Sequence, residues 1–532
     1  MRRFKFWHLV FMVLALLFLA LIPFALLPAY GVDESTHSLV GLFFRDLIKD
    51  WAKSPTLSFH KIYDYAITYL IYYPKLSVHY PPLTQVCFSI IFLFSNPTIY
   101  AGRFFILISS MIFLALIYFM ANYLYKDKKV ALISLLIFAT SPIIIVNSVQ
   151  AIQEIPFVLF FTLTIFLFLK AFEKGRKYYA LATISTVLTI LSKWQAITIV
   201  PLIFFYTLLV ERKKLKHTLI SLVVAGIVLI PYYLILYKAD LLFLPLSANV
   251  SSPESPKWYQ ISGLLFYVEA LVFKQFFFPI GLILLTTSLW YLTKREKHWK
   301  LFLIWILVVF ATMTFAIENK NIKYTINMLP AIVLPAAYTI NSYLKKSNRT
   351  GIAIFAALFL LQFILSTPLM KTNFPDVFPD TIKTNFTDVF PDVQSIGTYV
   401  SQRSEGNILI NDIPGADSPF IFEIAKNSNF THLTFNPCLI NDANESFDKT
   451  LNNYGIDYII SGKGTLMTER QKEFLNFMNT SGQFELEKEY EEFLIFKNND
   501  FNKTAAGIRC NYICSTKKIV CSEFNKPSDS LR

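Results

Sequence analysis

The chain is 532 residues long, 54% hydrophobic and 16% aromatic, with 16% charged residues and a mean hydropathy of +0.47. Soluble chains carry roughly a quarter charged residues, so this composition excludes a soluble globular enzyme and describes a polytopic membrane protein. The net charge of +13 does not point to nucleic acid. Its basic residues gather in short loops between apolar runs, where they set orientation and meet anionic headgroups.

Residues 6–30 form the first apolar run, and Arg2, Arg3 and Lys5 before it hold the chain start in the cytoplasm. The run is too long for a signal-peptide core, no small-x-small cleavage site follows, and more spans come after it. Asp33 and Glu34 therefore emerge on the extracytoplasmic side. Adjacent carboxylates at the mouth of a helix bundle suit proton abstraction or metal binding. As a dipeptide alone they read more readily as solvated charges ending a helix.

Ten further spans are expected: 98–124, 130–146, one ending before Glu173, one ending near Ser192, one ending before Glu211, one reaching Tyr237, 277–292, one reaching Glu318, one ending before Lys345, and 352–366. The loops at Lys126, Lys174, Arg212, Lys294 and Lys345 are short and basic, and all fall on the cytoplasmic side. Several runs are near or below the roughly 20 residues that cross a bilayer. Two apolar stretches, 83–94 and 258–275, read as helices along the membrane surface. The first is too short to span, and the second carries Glu269 and Lys274 among aromatics.

Beyond Thr367 the chain turns polar. Residues 371–380 nearly repeat as 383–392, a local duplication within a linker. Residues 407–412 and 456–460 read as strands, 469–478 as a helix and 485–497 as one or two closing strands. The expected organisation is a membrane domain over 1–370, a linker over 371–404 and an extracytoplasmic α/β domain over 405–532. Cys438, Cys510, Cys514 and Cys521 are an even number in a disulfide-permissive compartment. At least one bridge is expected among them, a zinc site from the last three being the lesser reading. Cys87, in an apolar helix, reads as core packing.

The ionisable residues of the bundle sort onto its outer face: Asp33, Glu34, His37, Lys75, His79, Arg103, Glu154, Lys193, Glu318, Lys320 and Lys323. Charges at membrane depth are costly and usually functional. Arg103 and Lys193 stand out because apolar sequence flanks both. Lys320 and Lys323 read equally as anchors reaching the headgroups, and His79, before Tyr80, Pro81 and Pro82, as a helix cap.

In this order the chain shows an acidic pair after the first span, His79-Tyr-Pro-Pro-Leu83, an Arg opening span two, Gln153-Glu-Ile-Pro156, Leu191-Ser-Lys193, and Lys323-Tyr324 before Leu329-Pro330. Over roughly residues 1–370 it resembles the membrane-embedded GT-C glycosyltransferases, in particular the group of protein O-mannosyltransferases and lipid A aminoarabinose transferases. Glu154 stands where that group usually has Asp, one methylene shorter. Lys323 stands where Arg is more usual, which removes bidentate phosphate recognition.

The resemblance implies an α-helical polytopic membrane protein of about eleven spans and GT-C type, multi-pass in the plasma membrane. It implies a glycosyltransferase moving a hexose or pentose from a polyprenyl-phosphate-linked sugar donor to a hydroxyl acceptor (glycan, lipid or protein) outside the cytoplasm. Asp33 would take the acceptor proton and Glu34 would orient the acceptor or Asp33. Glu154 would complete the acceptor side or help hold a divalent cation. Arg103, Lys193 and Lys323 would hold the donor phosphate, His79 would be a lesser contact in the same pocket, and Tyr324 would be a further substrate-binding residue. One displacement by an activated acceptor inverts the anomeric carbon. A transporter or flippase of a lipid-linked or anionic substrate is the alternative, and it calls for midplane charges and inverted repeats, of which the chain has few and none. A glycan polymerase or ligase is a neighbouring chemistry. Membrane lipids are the remaining partners.

Overall fold

In a bilayer every backbone N–H and C=O must be satisfied within the protein, so long apolar runs become helices and any break in one needs side chains to repair it. The computed structural model bears this out. It describes residues 6–27, 30–53, 80–238, 256–317, 320–346, 349–366, 389–390, 393–411, 417–428, 434–435, 446–463, 469–490, 493–500, 509–513 and 518–522. Lys75, His79, Glu318, Cys438, Cys514 and most of the duplicated 371–392 lie outside them. The chain forms two units, one from 1–27, 79–84 and 102–384, the other from 28–78, 85–101 and 385–532.

The first unit is the helical bundle. Each of the eleven expected spans coincides with an apolar helix or helix pair. Five helices are long and apolar enough to cross a membrane: His8–Ala25, Ile99–Tyr125, Glu154–Lys174, Arg212–Leu234 and Trp299–Ala316. The pair Lys128–Ala139 and Pro142–Ser148, bent by 65°, makes a sixth if taken as one broken span. The other helices are short. Ile280–Thr293, with 14 residues, reaches about 21 Å against a hydrocarbon core of about 30 Å.

The bend shows how a break is repaired. Pro142 offers no backbone donor, and the Phe138 carbonyl it would have served accepts from Ser141 N at 3.1 Å instead. The Thr140 carbonyl, open where the first helix ends, accepts from Gln362 Nε2 at 3.0 Å and Ser366 Oγ at 3.4 Å. Ser141 Oγ donates to the Gln275 carbonyl at 3.1 Å. Small polar side chains join the helices that frame the site. Thr164 Oγ1, on Glu154–Lys174, lies 2.8 Å from both Ser185 Oγ and Thr189 Oγ1 on Arg176–Ile190. The turn between these helices is Gly175, whose φ of 84° is a backbone state that side chains disfavour.

The stretch expected along the membrane surface, 258–275, is the helix Ile261–Glu269 running into a π-helical turn, Ala270–Gln275. Trp258, Tyr259 and Ile261 are exposed, whereas Tyr267 and Gln275 are fully buried. Gln275 Nε2 donates to the Ile322 carbonyl and to Thr325 Oγ1 at 2.7 and 2.9 Å. Its end is thus built into the bundle.

The second unit contains the C-terminal sheet, in strand order β4-β3-β5-β7-β6. Strands β3 (Asn407–Asn411) and β5 (Ile456–Gly462) are buried throughout, as their Ile- and Leu-rich sequences require. They pair in parallel, as does β4 (Thr434–Phe435) on the other side of β3. Strands β7 (Phe493–Asn498) and β6 (Phe484–Glu489) continue the sheet antiparallel. β6 carries Glu485, Glu487, Lys488 and Glu489, charges that suit an edge. Strand β1 (Tyr30–Gly31) pairs with β2 (Val389–Phe390), and the helix Val32–Lys53 packs on Asp417–Ser428. A separate hairpin, β8 (Arg509–Ile513) with β9 (Lys518–Ser522), sets Cys510 opposite Cys521 in register.

Candidate active site

In the bundle unit, Glu154 opens the helix Glu154–Lys174, where a carboxylate meets the positive end of the helix dipole. Lys193 stands between Arg176–Ile190 and the 3-10 helix Trp194–Thr198 with extended backbone. The turn before it is fixed by Ser192 Oγ donating to the Thr189 carbonyl at 2.5 Å and by Leu83 N donating to the Leu191 carbonyl at 2.8 Å. Lys193 Nζ then donates to Glu154 Oε1 at 2.7 Å, with both side chains less than a tenth exposed. The ammonium also lies 5.9 Å from the Phe157 ring centre and 5.7 Å from that of Tyr324. Aromatic faces at that distance attract a cation.

Tyr324 and Lys323 belong to the 3-10 helix Ile322–Met328, which starts where Asn321 Oδ1 accepts from Lys323 N at 2.9 Å. Both are half-buried. Lys320 is buried and donates to the carbonyls of Thr314 and Ile317 at 2.8 and 3.3 Å. It thereby covers open acceptors at the end of the π turn Thr312–Ala316. Arg103, 4% exposed, donates from Nη1 to the Leu27 carbonyl at 2.7 Å, past the end of the first helix. A cation there meets the negative end of that helix.

In the second unit, Asp33 and Glu34 lie in the first turn of Val32–Lys53, a position that favours carboxylates. Asp33 is exposed and Glu34 is buried. His37 follows four residues after Asp33 and three after Glu34, on the same helix face. Gln85 Nε2 stands 2.9 Å from His37 Nδ1. With the amide as donor, a neutral ring carries its proton on Nε2. Gly41 lets the helix Leu83–Phe94 approach, since a Cβ there would meet Phe88 Cβ at 3.0 Å.

Of the residues singled out from sequence, the structure thus brings Glu154, Lys193 and Tyr324 together. Arg103 and Lys323 belong to the same unit, and Asp33 and Glu34 to the other. Beside these lie buried polar residues: His37 in the second unit, readable from its helical spacing to the acidic pair, and in the first unit Gln153 and Gln195, next to Glu154 and near Lys193 in sequence. Among the described residues no three His, Cys, Asp or Glu side chains converge as a metal set.

The family profile described as dolichyl-phosphate-mannose-protein mannosyltransferase matches residues 79–237. An uncharacterised protein of Aquifex aeolicus (strain VF5) is 27% identical over 308 residues, which span 56% of this chain and 60% of that protein. Among solved structures, ArnT from Cupriavidus metallidurans bound to undecaprenyl phosphate superposes with a TM-score of 0.61. It is 12% identical, over 91% of this chain and 97% of ArnT. The archaeal oligosaccharyltransferase AglB from Archaeoglobus fulgidus, in complex with an inhibitory peptide and a dolichol-phosphate, gives a TM-score of 0.51 at 14% identity. That match covers 86% of this chain and 69% of AglB. At these identities the likeness is one of fold.

The class is a multi-pass membrane protein with the GT-C glycosyltransferase fold and a C-terminal α/β sheet. Within that class the chain resembles ArnT and the protein mannosyltransferase group.

Proposed function

We propose that this protein is a glycosyltransferase that takes a hexose or pentose from a polyprenyl-phosphate donor and passes it to a hydroxyl acceptor on the extracytoplasmic face. The observation that carries this reading is the buried Lys193–Glu154 pair beside Tyr324. A desolvated ion pair is a weak source of stability. A preorganised cation in a dry site is, however, worth most where negative charge develops. That ArnT was solved with undecaprenyl phosphate and AglB with a dolichol-phosphate supports a lipid phosphate as the group that leaves.

In the proposed reaction Asp33 takes the proton of the acceptor hydroxyl as its oxygen attacks the anomeric carbon. The bond from that carbon to the phosphate oxygen breaks, and the phosphate departs with the electron pair. Lys193 and Arg103, with Lys323 and Tyr324 at the rim and His79 as a further contact, neutralise the departing charge. Glu154 holds the Lys193 ammonium in place, and Glu34 orients Asp33 or the acceptor. A single displacement through an oxocarbenium-like state inverts the anomeric centre.

Mass spectrometry of surface glycans from a strain lacking the protein tests this reading. One sugar should disappear from a glycan, lipid or protein, return with the wild-type gene, and stay absent with Lys193→Ala. Unchanged glycans in the deletion strain would overturn the proposal.

A further inference from the structure

Three buried amide side chains lie on the segments that meet at the Lys193–Glu154 pair. Gln153 directly precedes Glu154, Gln195 follows Lys193 by two residues, and Asn327 lies three residues past Tyr324. The 2.7 Å ion pair joins the first two segments. The third is tied in by Asn327 Nδ2, which donates to Thr198 Oγ1 at 3.4 Å, while that hydroxyl donates to the Gln195 backbone carbonyl at 2.8 Å. Gln153, Gln195 and Asn327 are 5, 8 and 0% exposed. Among the described residues, Gln153 Oε1, Gln195 Oε1 and Asn327 Oδ1 accept no hydrogen bond.

Buried polar groups are paired in about nine cases of ten, so each of these open acceptors calls for a reason. Local structure does not use them: Gln153 occupies the residue before the Glu154 helix and makes no capping bond. Their chemistry differs from that of the paired cation. Lys193 attracts an anion, whereas amide oxygens repel one and take hydrogen bonds from hydroxyls. An amide turned the other way offers N–H to the same hydroxyl oxygens. The site is therefore suited to an anion and a polyol side by side.

We infer that Gln153, Gln195 and Asn327 bind the hydroxyl groups of the donor's sugar and so set which sugar is accepted. This rests on the proposed transfer from a lipid-phosphate donor. The sugar completes hydrogen bonds that the protein alone leaves open. A donor lacking the matching hydroxyl leaves them unmade and is rejected, the asymmetry by which hydrogen-bonding sites discriminate strongly.

Gln153→Leu and Gln195→Leu keep the side-chain volume and remove the amide. Full-length protein in nanodiscs is melted alone, with undecaprenyl phosphate, and with undecaprenyl phosphate carrying each of a panel of hexoses and pentoses. Ligand binding to the folded state raises the melting temperature according to its affinity. For both variants the ligand-free melting temperature should be unchanged or higher, and the shift with bare undecaprenyl phosphate retained. Affinity for the sugar-bearing lipid that best stabilises the wild type should fall about tenfold or more, as for a buried hydrogen bond lost. A lower ligand-free melting temperature would mean that the amides hold the fold, and would overturn the inference. Equal loss for both lipids, or loss for neither, would also overturn it. If the wild type binds bare and sugar-bearing lipid alike, the sugar-site inference falls while the lipid-phosphate reading stands. If neither lipid stabilises the wild type, both fall together.

Discussion

Asn and Asp differ at position 33 in one respect that matters: the amide keeps shape and hydrogen bonding but cannot take a proton. Asp33→Asn should therefore lower transfer by about 10²- to 10⁴-fold with expression and melting unchanged, and Glu34→Gln should cost less. Initial rates of transfer from lipid-linked sugar check this, and retained activity in both would remove carboxylate base chemistry from the mechanism. At Lys193 and Glu154 the stability and function readings separate. Removing one partner of a buried pair should cost about 3–5 kcal/mol of stability, whereas removing both is often near neutral. Lys193→Met and Glu154→Leu should each lower the denaturation midpoint, and the double variant should recover most of that loss. Donor use should stay lost in all three. A double variant with normal donor kinetics would make the pair a structural strut. The residue types were legible in sequence, because charges flanked by apolar runs are costly and call for a reason. Their pairing was not, since Glu154 and Lys193 lie 39 positions apart and only helix packing sets the distance.

Element boundaries in the bundle follow local chemistry that sequence shows well. Asp127 caps the helix Lys128–Ala139 by accepting from Lys129 N at 2.8 Å. It also accepts from Asn341 Nδ2 at 3.1 Å and Lys345 Nζ at 3.0 Å. Partial burial pushes its carboxyl up, but the bonds from Lys345 and the Lys129 and Val130 backbone outweigh that and hold it below the usual carboxylate range. A depressed folded pKa means that the contribution is whole above the unfolded value near ~4. It is lost as pH falls through the folded value. Asp127→Ala should cost about 1 kcal/mol at neutral pH and flatten the acid limb of a stability–pH curve. An unchanged curve would remove the cap from the account. In the hairpin β8–β9, directly opposed positions of an antiparallel pair lie about 4.5–5.5 Å apart at Cα, within disulfide reach. On the proposed extracytoplasmic placement of the tail, the Cys510–Cys521 backbone register therefore makes these two the favoured pair. Thiol labelling of denatured, unreduced protein should modify Cys87 but not all of Cys438, Cys510, Cys514 and Cys521. Labelling of all five would refute it.

For the whole molecule, the basic loops at Lys126, Lys174, Arg212, Lys294 and Lys345 set an orientation that reporter fusions can read. A fusion after Lys214 should report cytoplasm and one after Ser404 the extracytoplasmic side. Both on one side would sink the topology and, with it, an outward-facing Asp33. Among the described residues hydropathy located each apolar helix of the bundle, because desolvating the backbone leaves such runs no other structure. Among the described residues five helices, or six with the bent pair, are long and apolar enough to cross unbroken. Whether Lys128–Ala139 and Pro142–Ser148 act as one bent element depends on Gln362 and Ser366, more than 200 positions away.

Composition, apolar periodicity and the placement of basic loops were enough to determine a polytopic helical protein with a polar α/β tail, since each depends on local transfer free energies. The order of β3, β5 and β7 in the sheet needed the fold. So did the joining of β1 to β2 across more than 350 residues of chain, and the gathering of Glu154, Lys193, Tyr324 and the open amides. Those are long-range contacts, decided by which buried surfaces pack together, and a linear pattern of residue types carries no distance between them.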